Sequence, residues 1–226
     1  MSNVGFRIKT HIDRPDKKLV KLFSGMPVAN IDDCMNRTAC LDSGLRPYNK
    51  SKLLGCALTV RCTSGDNLMM HKALDMAQPG DIIIVSSEGA QLRATCGEIM
   101  VRYAMSRGIA GFIIDGCIRD ADEIAEIDFP VYARGAIPNG PYKNGPGEIG
   151  FPIAIGGVVI NPGDILVGDG DGIAVINPAD AEELAAETKK VTAKETKIMA
   201  DVTAGKGMDR AWVDKALEEK SCVFVD

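Results

Sequence analysis

Aromatic residues make up only 5% of the 226 positions, and His11 and His71 are the only histidines. Two imidazoles in separate segments cannot build a multi-histidine metal centre within one chain. Any metal here must be bound by oxygen, which points to magnesium, manganese or calcium. The seven cysteines form an odd set with no CxxC pair, which argues against both a disulfide framework and a zinc knuckle. Cys56 and Cys62 flank an apolar run and read as small core hydrophobes. No apolar stretch approaches the roughly 20 residues that a membrane span requires. The first nine residues lack the apolar core of a signal peptide, so a cytoplasmic location and no membrane partner are expected. Basic character is lacking too. The net charge is −5 with a pI near 5.2, and the Lys and Arg residues are scattered, which excludes nucleic acid as a general partner.

What is present is an ordinary globular balance, 46% hydrophobic and 25% charged, with no repeats or low-complexity segments. The length suits one large domain or two small ones. Residues 1–226 are read as one α/β domain: N-terminal helices over 1–50, an α/β core over 51–176, and C-terminal helices over 177–226. Short helices are expected over 15–24 and 29–35. A strand is expected over 57–62, then a helix over 66–77 with Leu68, Met69, Ala73, Leu74 and Ala77 at helical spacing. The apolar runs 82–86 and 112–115 read as buried parallel strands, separated by a helix over 95–107 that Gly108 stops. This is a βαβ pattern. A Gly/Pro-rich stretch, 135–157, leads into short strands at 158–160, 165–167 and 173–176. A long helix follows, capped by Asn177 with Pro178 at its first position, running to about Ala204 with Gly205 as its stop. A last helix is expected over 209–220.

Ligands of open α/β sheets gather at the carboxyl ends of parallel strands. There the strand 112–115 runs into Arg119-Asp120, a carboxylate binder beside a metal ligand. The same pair could equally make a salt bridge or cap the next helix. Glu98 opens the helix that leaves the neighbouring strand and can reach the same cleft, or can simply complement the helix dipole. The backbone N–H groups of Ile99 and Met100 at that helix start suit an anionic oxygen. On the long helix, Leu184, Thr188, Val191, Ile198 and Val202 form one stripe that includes Glu195. An acid there must find a partner or a polar cleft, unless it lies at the stripe's exposed edge. Asp169 and Asp171 read as a plain turn.

Gly97-Glu98, then 20 residues, then Arg119-Asp120 with Glu123 three further on, resembles the signature of the RraA-like proteins. Gly65-Asp66-Asn67, Pro79-Gly80-Asp81, Ile114-Asp115-Gly116, Asn161-Pro162-Gly163-Asp164 and Asp169-Gly170-Asp171-Gly172 match as well, over about residues 57–204. That family includes the class II pyruvate aldolases acting on 4-hydroxy-4-methyl-2-oxoglutarate and 4-carboxy-4-hydroxy-2-oxoadipate. The resemblance implies a swivelling β/β/α fold with a protruding C-terminal helix, a trimer or hexamer, and dependence on Mg2+ or Mn2+. It implies that Asp120 holds the metal, largely through water, and that Arg119 binds the 2-oxo acid and stabilises its enolate. Glu98 stands where those aldolases usually have Asp, the acid that orders a proton-carrying water. Gly97 and the amides of Ile99 and Met100 would contact substrate, with Asn67 and Lys143 near its distal carboxylate. Glu195 would complete a neighbouring subunit's site. The implied activity is retro-aldol cleavage of a 4-hydroxy-2-oxo acid to pyruvate and a second 2-oxo acid, with oxaloacetate decarboxylation on the side. The alternative is a non-catalytic regulator of the family's founding type, which binds ribonuclease E and would need neither acid. A methyltransferase is rejected, because no Gly-x-Gly-x-x-Gly follows an expected strand.

Overall fold

A computed structural model describes residues 2–225, which form two compact units, one extending to Thr188 and the other starting at Lys189. The first unit is α/β. Its strands are β1 (Phe6–Ile8), β2 (Arg46–Pro47), β3 (Leu53–Cys62), β4 (Asp81–Cys96), β5 (Gly111–Ile118), β6 (Val131–Ala136), β7 (Gly147–Ile149), β8 (Ile153–Ile155), β9 (Val158–Ile160), β10 (Ile165–Gly168) and β11 (Ile173–Ile176). Its helices are α1 (Lys17–Lys21), α2 (Val28–Cys34), α3 (Leu68–Met76), α4 (Glu98–Ser106), α5 (Ala121–Ala125) and the first turns of α6 (Ala181–Thr203). Nine strands form one sheet in the order β1-β7-β3-β4-β5-β6-β2, with β10 paired to β3 and β11 to β10, while β8 and β9 make a separate hairpin. The β3-β4-β5-β6 pairs are parallel, so their carboxyl ends share one edge.

Strand β5 is buried along its whole length, as the unbroken apolar run requires of a strand covered on both faces. Alternation sends its side chains two ways. Phe112 and Ile114, with Ile83, Val85, Leu58 and Val60, meet the apolar faces of α3, α4 and α5. Ile113, with Ile82 and Ile84, packs on Tyr132 and the β8–β11 side chains. The buried Cys56 and Cys62 sit on β3.

Three departures from the expected elements bear on the site. Strand β4 does not end at Ser86. Glu88 and Gly89, at φ +61° and +66°, kink it, and pairing to β5 resumes through register shifts at Ala90–Gly116, Ala94–Cys117 and Cys96–Ile118. Residues 95 and 96 therefore belong to the strand, and α4 begins at Glu98. The N-terminal 50 residues contribute β1 and β2 as well as helices.

Asn177 caps as expected, accepting the Ala179 N–H at 3.0 Å before a single 3₁₀ turn at Pro178–Asp180 leads into α6. Within that helix Leu184 and Thr188 are buried. The second unit holds the remaining turns of α6, where Val191 and Ile198 are half-buried and Glu195 is exposed, and α7 (Ala211–Glu219). Gly205, at φ +73°, ends the long helix. No helix among the described residues is long and apolar enough to cross a membrane.

Candidate active site

The carboxyl ends of β3, β4, β5 and β6 converge on one cleft of about 280 Å³. Asn67 lines it from just before α3 and His71 from α3, Thr95, Cys96 and Gly97 from the end of β4, and Ile99 and Met100 from α4. Arg119 and Asp120 enter from the end of β5, and Gly140, Pro141 and Lys143 from the Gly/Pro-rich loop. Arg119 and Asp120 also border a second hollow against Ala136, Ile137 and Pro138 beyond β6. The structure thus brings Arg119, Asp120, Gly97, Ile99, Met100, Asn67 and Lys143 together.

Asp120 is built in an uncommon way. It precedes α5 but adopts left-handed backbone, φ +57° and ψ +44°, and gives α5 no side-chain cap. Its Oδ2 instead turns back to accept the Glu98 backbone N–H at 3.0 Å, capping α4. Holding a non-glycine residue there costs on the order of 1 kcal/mol, offset by a carboxylate bound at the positive end of a helix. Gly97 makes the approach possible. Its backbone is extended, and a Cβ on it would overlap Asp120 Oδ2 and stand 2.9 Å from Arg119 Cγ.

Beside this carboxylate, Arg119 Nε lies 3.6 Å from Asp120 Oδ2. Among the described residues the Arg119 guanidinium makes no hydrogen bond, so its fork remains available to a ligand. Gly140 stands against it, since a Cβ there would lie 3.4 Å from Nη1. With Lys143 on the same wall, the cleft carries two cations and one carboxylate, an arrangement that attracts an anion.

Asn67 is the most informative lining residue. It is 2% exposed, and its Nδ2 donates to the Thr95 carbonyl at 2.8 Å and to Met100 Sδ at 3.7 Å. Its Oδ1 is buried with no hydrogen-bond partner among the described residues, a deficit that ordinarily costs about 1–3 kcal/mol. The leftover atom is an acceptor, which suits a hydroxyl or a bound water and would repel the distal carboxylate expected there.

The helix-start amides divide. Contrary to expectation, the Met100 N–H is taken by the Gly97 carbonyl at 3.1 Å, and Met100 contributes only its side chain. The Ile99 N–H has no hydrogen bond among the described residues, and Ile99 is 79% exposed. Glu98 lies outside the lining residues. Its Oε1 accepts from Arg102 Nε at 2.7 Å, a pair one turn apart on α4. Asp169 makes the expected turn, accepting the Asp171 and Val28 N–H groups.

His71 was not among the expected site residues. One signal was available: it falls four residues after Asn67, a helical spacing. Among the described residues its ring makes no hydrogen bond. Burial first, then Lys143, hold its imidazole below the ordinary value, against an opposing pull from Asp75.

No three His, Cys, Asp or Glu side chains gather into a metal cage among the described residues. The donor set nevertheless fits a hard cation that keeps most of its waters. Asp120 Oδ1 is free of hydrogen bonds among the described residues, and Asn67 supplies a waiting acceptor for a coordinated water.

Fold and cleft together define an α/β protein with a cleft at the carboxyl edge of its parallel strands. The chain belongs to the RraA-like family, whose aldolase/RraA model matches residues 28–175. It is 36% identical over 196 residues to a Halalkalibacterium halodurans protein named "Putative 4-hydroxy-4-methyl-2-oxoglutarate aldolase", covering 86% of this chain and 93% of that protein. Among solved structures, it matches an unusual member of the RNase ES inhibitor RraA protein family from Streptomyces coelicolor. That likeness has a TM-score of 0.72 at 28% identity and covers 83% of this chain and 100% of that one. An uncharacterized Pseudomonas syringae protein shares the fold at TM-score 0.76 and 24% identity, over 85% of this chain and 96% of that one.

Proposed function

We propose that the protein is a divalent-metal-dependent carbon–carbon lyase that cleaves a 4-hydroxy-2-oxo di- or tricarboxylic acid into pyruvate and a second 2-oxo acid. The observation that carries this reading is the pairing at the end of β5: an Arg119 fork with no hydrogen bond among the described residues beside an Asp120 carboxylate pinned to the start of α4. Asp120 would hold Mg2+ or Mn2+, which when bound supplies Lewis-acid stabilisation of enolate charge. Arg119 grips the substrate's 2-oxo acid end and offsets the negative charge that grows on the C2 oxygen as the C3–C4 bond breaks. The Ile99 amide, at the positive end of α4, adds a donor for the same charge. Lys143 draws the distal carboxylate, and Asn67 Oδ1 accepts from the C4 hydroxyl or a water. The same electron sink decarboxylates oxaloacetate. Glu195, from a neighbouring subunit of a trimer or hexamer, would complete the site.

The test is pyruvate release from 4-hydroxy-4-methyl-2-oxoglutarate and 4-carboxy-4-hydroxy-2-oxoadipate. Activity should vanish in EDTA and return with Mg2+ or Mn2+, and Arg119→Lys should lose both turnover and affinity because lysine lacks the bidentate fork. Full activity in EDTA, or none with any substrate and metal, overturns the reading. The likeness to the RNase ES inhibitor family supports a regulator as the second reading, but binding another protein gives the buried, unpartnered Asn67 Oδ1 no role.

A further inference from the structure

Retro-aldol cleavage must remove the proton from the C4 hydroxyl and deliver one to C3. Glu98, the acid at the position from which a proton-carrying water would be ordered, is instead engaged by Arg102 and lies outside the lining. Of the titratable groups that do line the cleft, Arg119 and Lys143 are cations with no lone pair to offer. Asp120 gives Oδ2 to the Glu98 N–H and, on the lyase reading, its other oxygen to the metal. The Cys96 thiol is pushed up to about 12, chiefly by burial. His71 remains, one turn beyond Asn67 on α3 with its ring unbonded among the described residues.

Resting on the lyase reading, we propose that His71 is the acid–base catalyst of this cleft, taking the C4 hydroxyl proton and returning it to C3. Asn67, the residue before α3, and His71 on its first turns line the same cleft, so the orphaned Asn67 Oδ1 and the imidazole are both acceptors open to a substrate hydroxyl there. The ring nitrogen accepts the O–H proton, and the C4 oxygen lone pair becomes the new carbonyl. The C3–C4 electrons move into the enolate, whose charge Arg119 faces. The imidazolium then protonates C3, releasing pyruvate and regenerating the neutral ring. One proton makes the round trip, and no other reactant is consumed.

The surroundings suit this cycle. Lys143 from the loop and Arg119 and Asp120 from the end of β5 share the cleft with His71, Tyr103 of α4 borders the adjoining hollow, and Lys72 and Asp75 flank it on its own helix. Among these, burial and Lys143 outweigh Asp75 and keep the imidazole neutral, the form that accepts a proton at pH 7.

The experiment compares two reactions of one site. Oxaloacetate decarboxylation has no hydroxyl proton to remove, so His71→Gln should cut aldol cleavage about 100-fold or more while cutting decarboxylation less than about tenfold. His71→Ala supplemented with imidazole should recover cleavage, because the free base replaces the missing one. Wild-type cleavage should fall on acidification below the ordinary imidazole range, and decarboxylation should lack that limb. Equal losses in both reactions, with no imidazole rescue, overturn the role of His71 while leaving the lyase reading intact. A wild-type protein inactive in both reactions overturns the lyase reading and the inference together. Imidazole rescue reads the chemistry even if the glutamine variant folds poorly.

Discussion

The Oδ2 of Asp120 accepts the backbone N–H of Glu98 at 3.0 Å, so the residue just before α5 caps α4, 22 positions earlier. One carboxylate therefore has two duties, closing a helix terminus and facing the cleft. The two duties are separable by mutation. Asp120→Asn keeps an oxygen that can accept the Glu98 N–H, whereas Asp120→Ala removes the cap and should cost about 1 kcal/mol of stability. Both should reduce metal-dependent lyase activity by about 100-fold or more. Denaturation midpoints and pyruvate release, measured on the same preparations, separate the two effects. An asparagine variant with substantial activity would mean that the carboxylate only caps.

The reach of Asp120 depends on Gly97 having no side chain. Gly97→Ala places a Cβ against Asp120 Oδ2 and 2.9 Å from Arg119 Cγ. Arg119 lies at the mouth of the cleft and can give way, but the cap cannot shift without releasing Glu98. The expected result is a folded protein, destabilised by about 1–3 kcal/mol, with lyase activity reduced at least as far as in Asp120→Asn. Wild-type turnover in Gly97→Ala would show that the two side chains can move apart without consequence.

Much of this architecture was legible in the sequence, because buried strands and amphipathic helices write their periods plainly. The run from Phe112 to Asp115 could only be a covered strand, and Asn177-Pro178 could only begin a helix. The expected α/β class and the family are those of the chain. The extension of β4 was not legible. Ser87 to Arg93 has no period of two, and its pairing to β5 runs through kinks at Glu88 and Gly89 rather than a regular ladder. The same irregularity hid the start of α4, since Thr95 and Cys96 are strand residues in a stretch that reads as helix. At the cleft, the Arg119-Asp120 pair was visible as a motif. That Arg102 would engage Glu98 was foreshadowed only by their four-residue spacing. The buried deficit of Asn67 depends on contacts to Thr95 and Met100, distant in sequence, that no local pattern encodes.

Behind the cleft, Arg134 holds two acids at once. It donates to Asp42 from Nη1 and Nη2, at 3.0 and 2.9 Å, and through Nε to Asp115 on β5. The Asp115 side chain is only 8% exposed, so Arg134→Met leaves a buried carboxylate with the Gly89 N–H as its remaining described donor. Loss of one partner of such a pair costs about 3–5 kcal/mol. The pH dependence follows from Asp42, whose carboxyl is held below its ordinary value of 3.8 chiefly by the Arg134 hydrogen bonds. A lowered folded-state value contributes stability that is present above the ordinary value and is lost as pH falls through the lowered one. Unfolding midpoints taken from pH 7 down to below pH 3 should show that loss in the wild type and a flatter acid limb in Arg134→Met. Parallel curves would mean that Asp42 gains nothing from the arginine.

The last prediction concerns Glu195, exposed on α6 within the second unit, where the family resemblance supplies a role across a subunit boundary. A glutamate acting on a neighbour's cleft and an arginine acting within its own are supplied by different chains. Glu195→Gln and Arg119→Lys oligomers should each be strongly impaired. Hybrids of the two should regain part of the wild-type rate, since some of their clefts draw an intact Arg119 from one chain and an intact Glu195 from another. A glutamate serving its own chain's cleft gives the opposite result, because no arrangement of the two mutant chains then contains a complete site. Co-expression with two different tags, followed by sequential purification, isolates hybrids whose pyruvate release can be compared with each parent. Restored activity would place Glu195 in trans. If verified hybrids remain as impaired as their parents while wild-type oligomers tolerate the same handling, Glu195 does not act across the boundary, and the stripe of Val191, Ile198 and Val202 around it is ordinary helix packing beside an exposed acid.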